Sequence, residues 1–226
     1  MTNTPAMNRY SWYGKLPSAG DFLQRRFPDT LQRQWSHWFQ VGLLAWQQEE
    51  QRSGERPFSK APVWNFVVPP MLGSQMIQMG CLLPGRDSVG RHYPVCLQLS
   101  FTPAEWSSRL LGQAESWYQQ LGRLGLHAVR NSYSASQLDE MLMTIPAPQP
   151  VEPQKRSDIL DVIGYDDDGQ STLGWPQAAE CFDPLRQTSY WWTNRCDGYP
   201  LYTHVHSGNF TGQLFTLLFD PAGGAR

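Results

Sequence analysis

The sequence predicts an α/β protein, with mixed strand and helix around one central sheet and long helices on its faces. Three observations carry that reading. Short runs rich in β-branched and aromatic residues recur along the chain, several with period-two alternation. Two long segments place apolar residues at spacings of three and four. Loops bearing glycine and proline separate the two kinds of segment, as layered strands and helices require.

Tyr10-Ser11-Trp12-Tyr13 is a short aromatic strand. It runs into Gly14-Lys15-Leu16-Pro17-Ser18-Ala19-Gly20-Asp21-Phe22, whose glycines, proline, serine and aspartate make a turn-rich loop of fixed shape. The plain reading of that loop is a tight strand-to-helix connection. Pro28-Asp29-Thr30 opens the first helix, proline being suited to a first turn. Leu31, Trp35, Trp38, Phe39, Leu43 and Trp46 give it one apolar stripe, which reads as core. Val63–Val68 is a strand stopped by Pro69-Pro70. Gln75–Leu83 and His92–Phe101 are two more, the second with Tyr93, Val95, Leu97, Leu99 and Phe101 on one apolar face. A long connection, Pro84 to Arg91, makes them a hairpin across which Cys81 and Cys96 could face each other.

Thr102-Pro103-Ala104-Glu105 reads as a capping box opening the next helix. Its apolar face is Trp106, Leu110, Ala114, Trp117, Leu121 and Leu124, and Gly122 and Gly125 weaken its end. Ser134-Ala135-Ser136-Gln137 caps a shorter helix with Leu138, Met141, Leu142 and Ile145 on one face. Pro146, Pro148, Pro150 and Pro153 mark a stiff connection. Beyond it, Ile159–Tyr165, Tyr190–Thr193 and Leu201–His206 read as strands, and Asp166–Gly169 and Cys196–Gly198 as turns. Phe210–Phe219 is a closing apolar helix or strand. The expectation is a single domain over residues 1–226, with a proline-rich connection near 146–157 before a smaller C-terminal block.

Composition excludes several classes of function. The 226 residues carry a formal net charge of -2, so neither the basic footprint of a nucleic-acid binder nor an acidic tail is present. Aromatic residues make up 13% of the chain, including ten tryptophans, which favours core and interface positions. No apolar run approaches the roughly 20 residues a membrane span needs. Met1–Met7 has no apolar secretory region, so a cytoplasmic protein without membrane insertion is expected. Cys81, Cys96, Cys181 and Cys196 form no C-x-x-C pair and read as free thiols rather than zinc ligands.

Catalytic signatures are missing from the residues. His204-Val205-His206 puts two imidazoles on one strand face without a companion cluster of ligands. Asp166-Asp167-Asp168-Gly169 lacks the glutamate that closes a calcium loop. Ser88 sits in no nucleophile elbow, and Gly14–Gly20 lacks the order of a phosphate-binding loop. No catalytic group, metal site or cofactor is therefore nominated. Two polar loops stand out instead, Gly14–Asp21 and Arg86–Arg91. Arginine can hold a carboxylate in bidentate fashion, so Asp21 with Arg86 or Arg91 is a candidate pair.

Four segments, in order along most of the chain, resemble one known family. Gly14–Phe22, with Arg25 soon after, is similar to the G-K-L-P-[ST]-x-G-D-F signature of the TagF (ImpM) family. Pro62-Val63-Trp64-Asn65-Phe66 resembles its P-x-W-x-F strand, and Asp87–Pro94 its D-x-V-G-R-x-[YF]-P segment. Ser189–Thr193 resembles its late S-x-[FW]-W segment. Ala19 stands where the family often has histidine, and the C-terminal part matches least well. The resemblance implies a three-layer α/β/α sandwich around one mixed, largely antiparallel sheet. It also implies a cytoplasmic accessory protein of the bacterial type VI secretion system. TagF-like proteins are post-translational repressors of that machine, working through its forkhead-associated scaffold protein and independently of the threonine kinase and phosphatase. The family is not known for catalysis.

On that reading Lys15, Ser18, Asp21, Arg86, Asp87 and Arg91, with Trp191 and Trp192, are the candidate partner contacts, and Gly14, Pro17, Gly20 and Gly90 shape the loops. The alternative is a small enzyme or nucleotide-binding module using the Gly14–Asp21 loop. A ligand beside Lys15, or a polar pocket joining Asp21 to His92, would favour it. A structural subunit of the apparatus would instead show a large exposed apolar patch.

Overall fold

A computed structural model describes residues 10–53, 57–71, 73–149, 175–194 and 201–220. Among them seven strands form one sheet: β1 (Tyr10–Gly14), β2 (Leu23–Arg25), β3 (Trp64–Val68), β4 (Ile77–Arg86), β5 (His92–Phe101), β6 (Thr188–Thr193) and β7 (Thr203–Ser207). Their order is β2-β1-β5-β4-β3-β6-β7. Every pairing among the described residues is antiparallel, in keeping with the largely antiparallel sheet expected. Among the described residues the helices are α1 (Asp29–Ser53), α2 (Ser108–Gly112), α3 (Glu115–Arg130), α4 (Ala135–Thr144), α5 (Pro176–Cys181) and α6 (Gly212–Phe219), with a 3-10 turn at Phe58–Lys60.

Period-two alternation sorts the strand side chains into two cores, one on each face of the sheet. Trp12, Val67, Met79, Cys81, Leu97 and Trp192 face a cluster built with α2, α3 and α4. Tyr13, Phe66, Leu82, Cys96 and Trp191 face a second cluster built with α1, α6 and the 3-10 turn. Both faces are thus covered, so β5 is buried on its second face as well as on the apolar one. Cys81 and Cys96 lie in different clusters. The register pairs Cys81 with Leu97 and Leu82 with Cys96, and neither forms a disulfide.

Buried tryptophans bring their N–H groups to partners across the chain, as a donor removed from water requires. Trp35 Nε1 donates to Gln78 Oε1, Trp38 Nε1 to the Thr211 carbonyl and Trp64 Nε1 to the Leu218 carbonyl, at 2.6–2.9 Å. Tyr10 donates its hydroxyl hydrogen to the Ile145 carbonyl while accepting from Trp117 Nε1. Burial pushes the Tyr10 phenol up to about 12, against the lowering effect of that Trp117 bond.

Several local expectations are corrected. The Gly14–Phe22 loop leads into β2, closing a β1–β2 hairpin with Gly14 opposite Leu23, and only then does the chain reach α1. The β4–β5 connection is shorter than expected, because Pro84, Gly85 and Arg86 pair with Pro94, Tyr93 and His92. The expected Thr102–Glu105 box forms only in part: Thr102 N and Oγ1 both donate to Glu105 Oε2 while Glu105 N donates to the Thr102 carbonyl, which closes a turn, and α2 starts later at the Ser107 cap. The helix expected there is divided into α2 and α3, and α3 runs through both glycines. Gly125 is where α3 meets β4: a Cβ there would lie 2.9 Å from the Leu83 side chain. The capping box at Ser134 does open α4, and Phe210–Phe219 resolves as helix over its last eight residues. The strand expected at 159–165 and the turns expected at 166–169 and 196–198 lie outside the described residues.

Candidate functional site

The two polar loops meet, and Asp87 joins them. Its side chain has no solvent exposure. Lys15 Nζ donates to Asp87 Oδ2 at 2.9 Å and Arg91 Nε to the same oxygen at 2.6 Å. The backbone N–H groups of Val89 and Arg91 donate to Oδ1 at 3.1 and 2.8 Å. Burial alone would raise the carboxyl pKa. The Lys15 hydrogen bond and those from Arg91 outweigh it and hold Asp87 well below the usual carboxylate range.

The backbone completes the joint. Ser88 N donates to the Ala19 carbonyl at 2.9 Å, and Arg91 Nη2 to the Gly20 carbonyl at 2.8 Å. Ser18 Oγ donates to the Tyr133 carbonyl, tying the first loop to the α3–α4 connection. Gly14 is required twice over, by a φ of +152° and because a Cβ would sit 2.4 Å from the Pro94 carbonyl oxygen. Gly90 has a φ of +89° with open space around it, so there the demand is conformational alone. Lys15 Nζ also lies 4.6 Å from the centroid of the Phe22 ring, which packs edge-on against Tyr93.

The expected contact residues therefore divide. Ser18, Asp21, Arg86 and Arg91 are exposed. Lys15 and Asp87 are buried and commit their charges to each other. Asp21 forms no ion pair with Arg86 or Arg91 among the described residues; it accepts from its neighbour's N–H at Phe22, because Arg91 is already taken by Asp87 and Gly20. Trp191 and Trp192 are a correction, being 0% and 1% exposed on opposite faces of β6, where no partner can reach them. Phe22 (44% exposed) and Val89 (72%) were overlooked. Each is an apolar residue inside an otherwise polar turn, and that mismatch was the available signal.

Lys15 Nζ is satisfied by Asp87, and Asp21 is not among the residues that line a cleft with His92. Among the described residues no group of three metal-ligating side chains is assembled, and no helix is long and apolar enough to cross a membrane. His204 and His206 stack on β7, and His206 Nε2 reaches the Asn209 carbonyl.

Residues 11–145 match the family described as TagF N-terminal domain, type VI secretion system-associated. The crystal structure of PA0076 from Pseudomonas aeruginosa PAO1 is similar in fold, with a TM-score of 0.69 and 21% identity over 93% of this chain and 94% of that one. No curated protein matches the chain significantly.

Proposed function

Because this chain belongs to the TagF N-terminal domain family of type VI secretion system-associated proteins, we propose that it is a non-catalytic, cytoplasmic negative regulator of that machine. It acts after translation, by binding the forkhead-associated scaffold protein. One observation carries the reading: Asp87, Lys15 and Arg91 spend their charges on one another and lock two loops into a single plate, while Phe22 and Val89 stand exposed upon it. A preorganised surface with apolar side chains in a polar rim suits docking, since little ordering entropy remains to be lost on binding. Catalysis would need a polar group free to act, and the charged pair at the centre of the plate has none.

The test is a pull-down of purified scaffold by the wild type, Val89→Asp and Asp21→Ala, with secretion measured in cells carrying each variant. Capture by the wild type, loss with Val89→Asp at unchanged melting temperature, and release of repression are expected. Failure of the wild type to capture the scaffold would sink the proposal.

A further inference from the structure

Beside the plate lies an open cleft of about 370 Å³ between the end of the β4–β5 hairpin, the 3-10 turn and the last turn of α3. Its floor is apolar, with Val63, Pro84, Leu126 and Val129. Its polar lining is Ser59, Arg86, His92 and Arg130, all exposed, and among the described residues it contains no carboxylate. Neither arginine forms an ion pair among the described residues. That contrasts with Arg26, Arg91 and Arg186, each of which meets an aspartate.

We infer that this cleft receives an acidic peptide segment of the regulator's protein partner, with carboxylates on Arg86 and Arg130 and an apolar side chain on the floor between them. The inference rests on the interaction-protein reading above and names the chemistry of the contact. Guanidinium groups pair with carboxylates in bidentate geometry, and a cleft of this size accommodates a few side chains. A phosphate-rich small molecule suits the site less well. Such ligands are usually cradled by backbone N–H groups at a helix N-terminus, whereas α3 presents its C-terminal end here and offers no such cradle. Arg86 immediately precedes Asp87, so a peptide leaving the cleft reaches the plate without a gap.

The probe is a fluorescein-labelled pentapeptide of four glutamates around a central leucine, titrated by anisotropy against the wild type and the Arg86→Glu/Arg130→Glu double variant. A lysine-for-glutamate peptide and ATP serve as controls, and melting temperatures check folding. Saturable binding of the acidic peptide, weakened roughly tenfold or more in the folded double variant and by added salt, is the expected result. No saturable binding, or equal binding by the double variant, overturns the inference. So does ATP binding more tightly than the peptide and being lost in the same variant, which would mark a small-anion site. Should the double variant fail to fold, Arg86→Gln with Arg130→Gln gives the same readout through charge removal. Scaffold capture, measured in parallel, decides the broader reading separately: peptide binding without scaffold capture keeps the cleft and removes that partner.

Discussion

A carboxylate that accepts four hydrogen bonds, two of them from cationic side chains, is far better satisfied ionised than protonated, and at Asp87 this sets a pH dependence. Its folded-state pKa lies below the unfolded value of about 4. The stabilisation is therefore complete above that value, begins to fade as the pH falls below it and is lost as the pH falls on through the folded-state pKa. Asp139 works in the same direction, held down by the Arg26 guanidinium and by Trp12 Nε1. Urea midpoints of the wild type should fall steadily between about pH 5 and pH 3. Asp87→Asn should be less stable at neutral pH and flatter in acid. An acid limb as steep in the variant as in the wild type would remove Asp87 from this role. Tyr10→Phe should cost about 1–3 kcal/mol, because the Ile145 carbonyl and Trp117 Nε1 both lose their buried partner. Gly90→Ala should cost about 1 kcal/mol for the backbone alone, read from the same denaturation curves. The sequence identified both loops but chose Asp21 as their anion. Asp21 and Asp87 are equally polar in one dimension. Only the turn geometry puts Asp87 inside, against Val89 N and Arg91 N, and leaves Asp21 facing solvent.

At the level of elements, α1 and α6 meet through a glycine. A Cβ on Gly42 would lie 2.1 Å from the Phe215 ring, so Gly42→Ala must push the helices apart. The expected loss is about 1–3 kcal/mol, with partial recovery in Gly42→Ala/Phe215→Leu. Melting temperatures of the four-member cycle test this, and purely additive effects would count against it. Elements with a strong period were legible: the stripe of α1 and the runs of β3 and β5 appear where the spacing puts them, while α4 forms with Leu138 and Leu142 buried but Met141 exposed and Ile145 past its end. Those defined by a partner were not. β2 is three residues, two of them Gln24 and Arg25, and β1 supplies its pairing. Trp191 and Trp192 were both expected at the contact surface. A sheet covered on both sides buries the two alike.

Across the whole molecule, the family match ends at residue 145 while the sheet does not. β6 pairs with β3, and α6 lays Leu214, Phe215, Leu218 and Phe219 into the core under α1. A fragment ending at residue 149 should therefore bind a hydrophobic dye and show no cooperative thermal transition, whereas the full chain should melt cooperatively. A well-folded fragment would show that β6, β7 and α6 are dispensable. The same pairing has a consequence in time. A chain emerging from the ribosome completes β3 about 120 residues before β6, and at roughly 5–20 residues per second the wait is on the order of ten seconds. Through that interval the edge of β3 has no neighbour, and Trp64 and Phe66 lack the helix that later covers them. Newly made protein is thus exposed to wrong pairing for longer than its size alone would require, and its yield in the cell should depend on how fast it is synthesised and on the chaperones that hold it meanwhile.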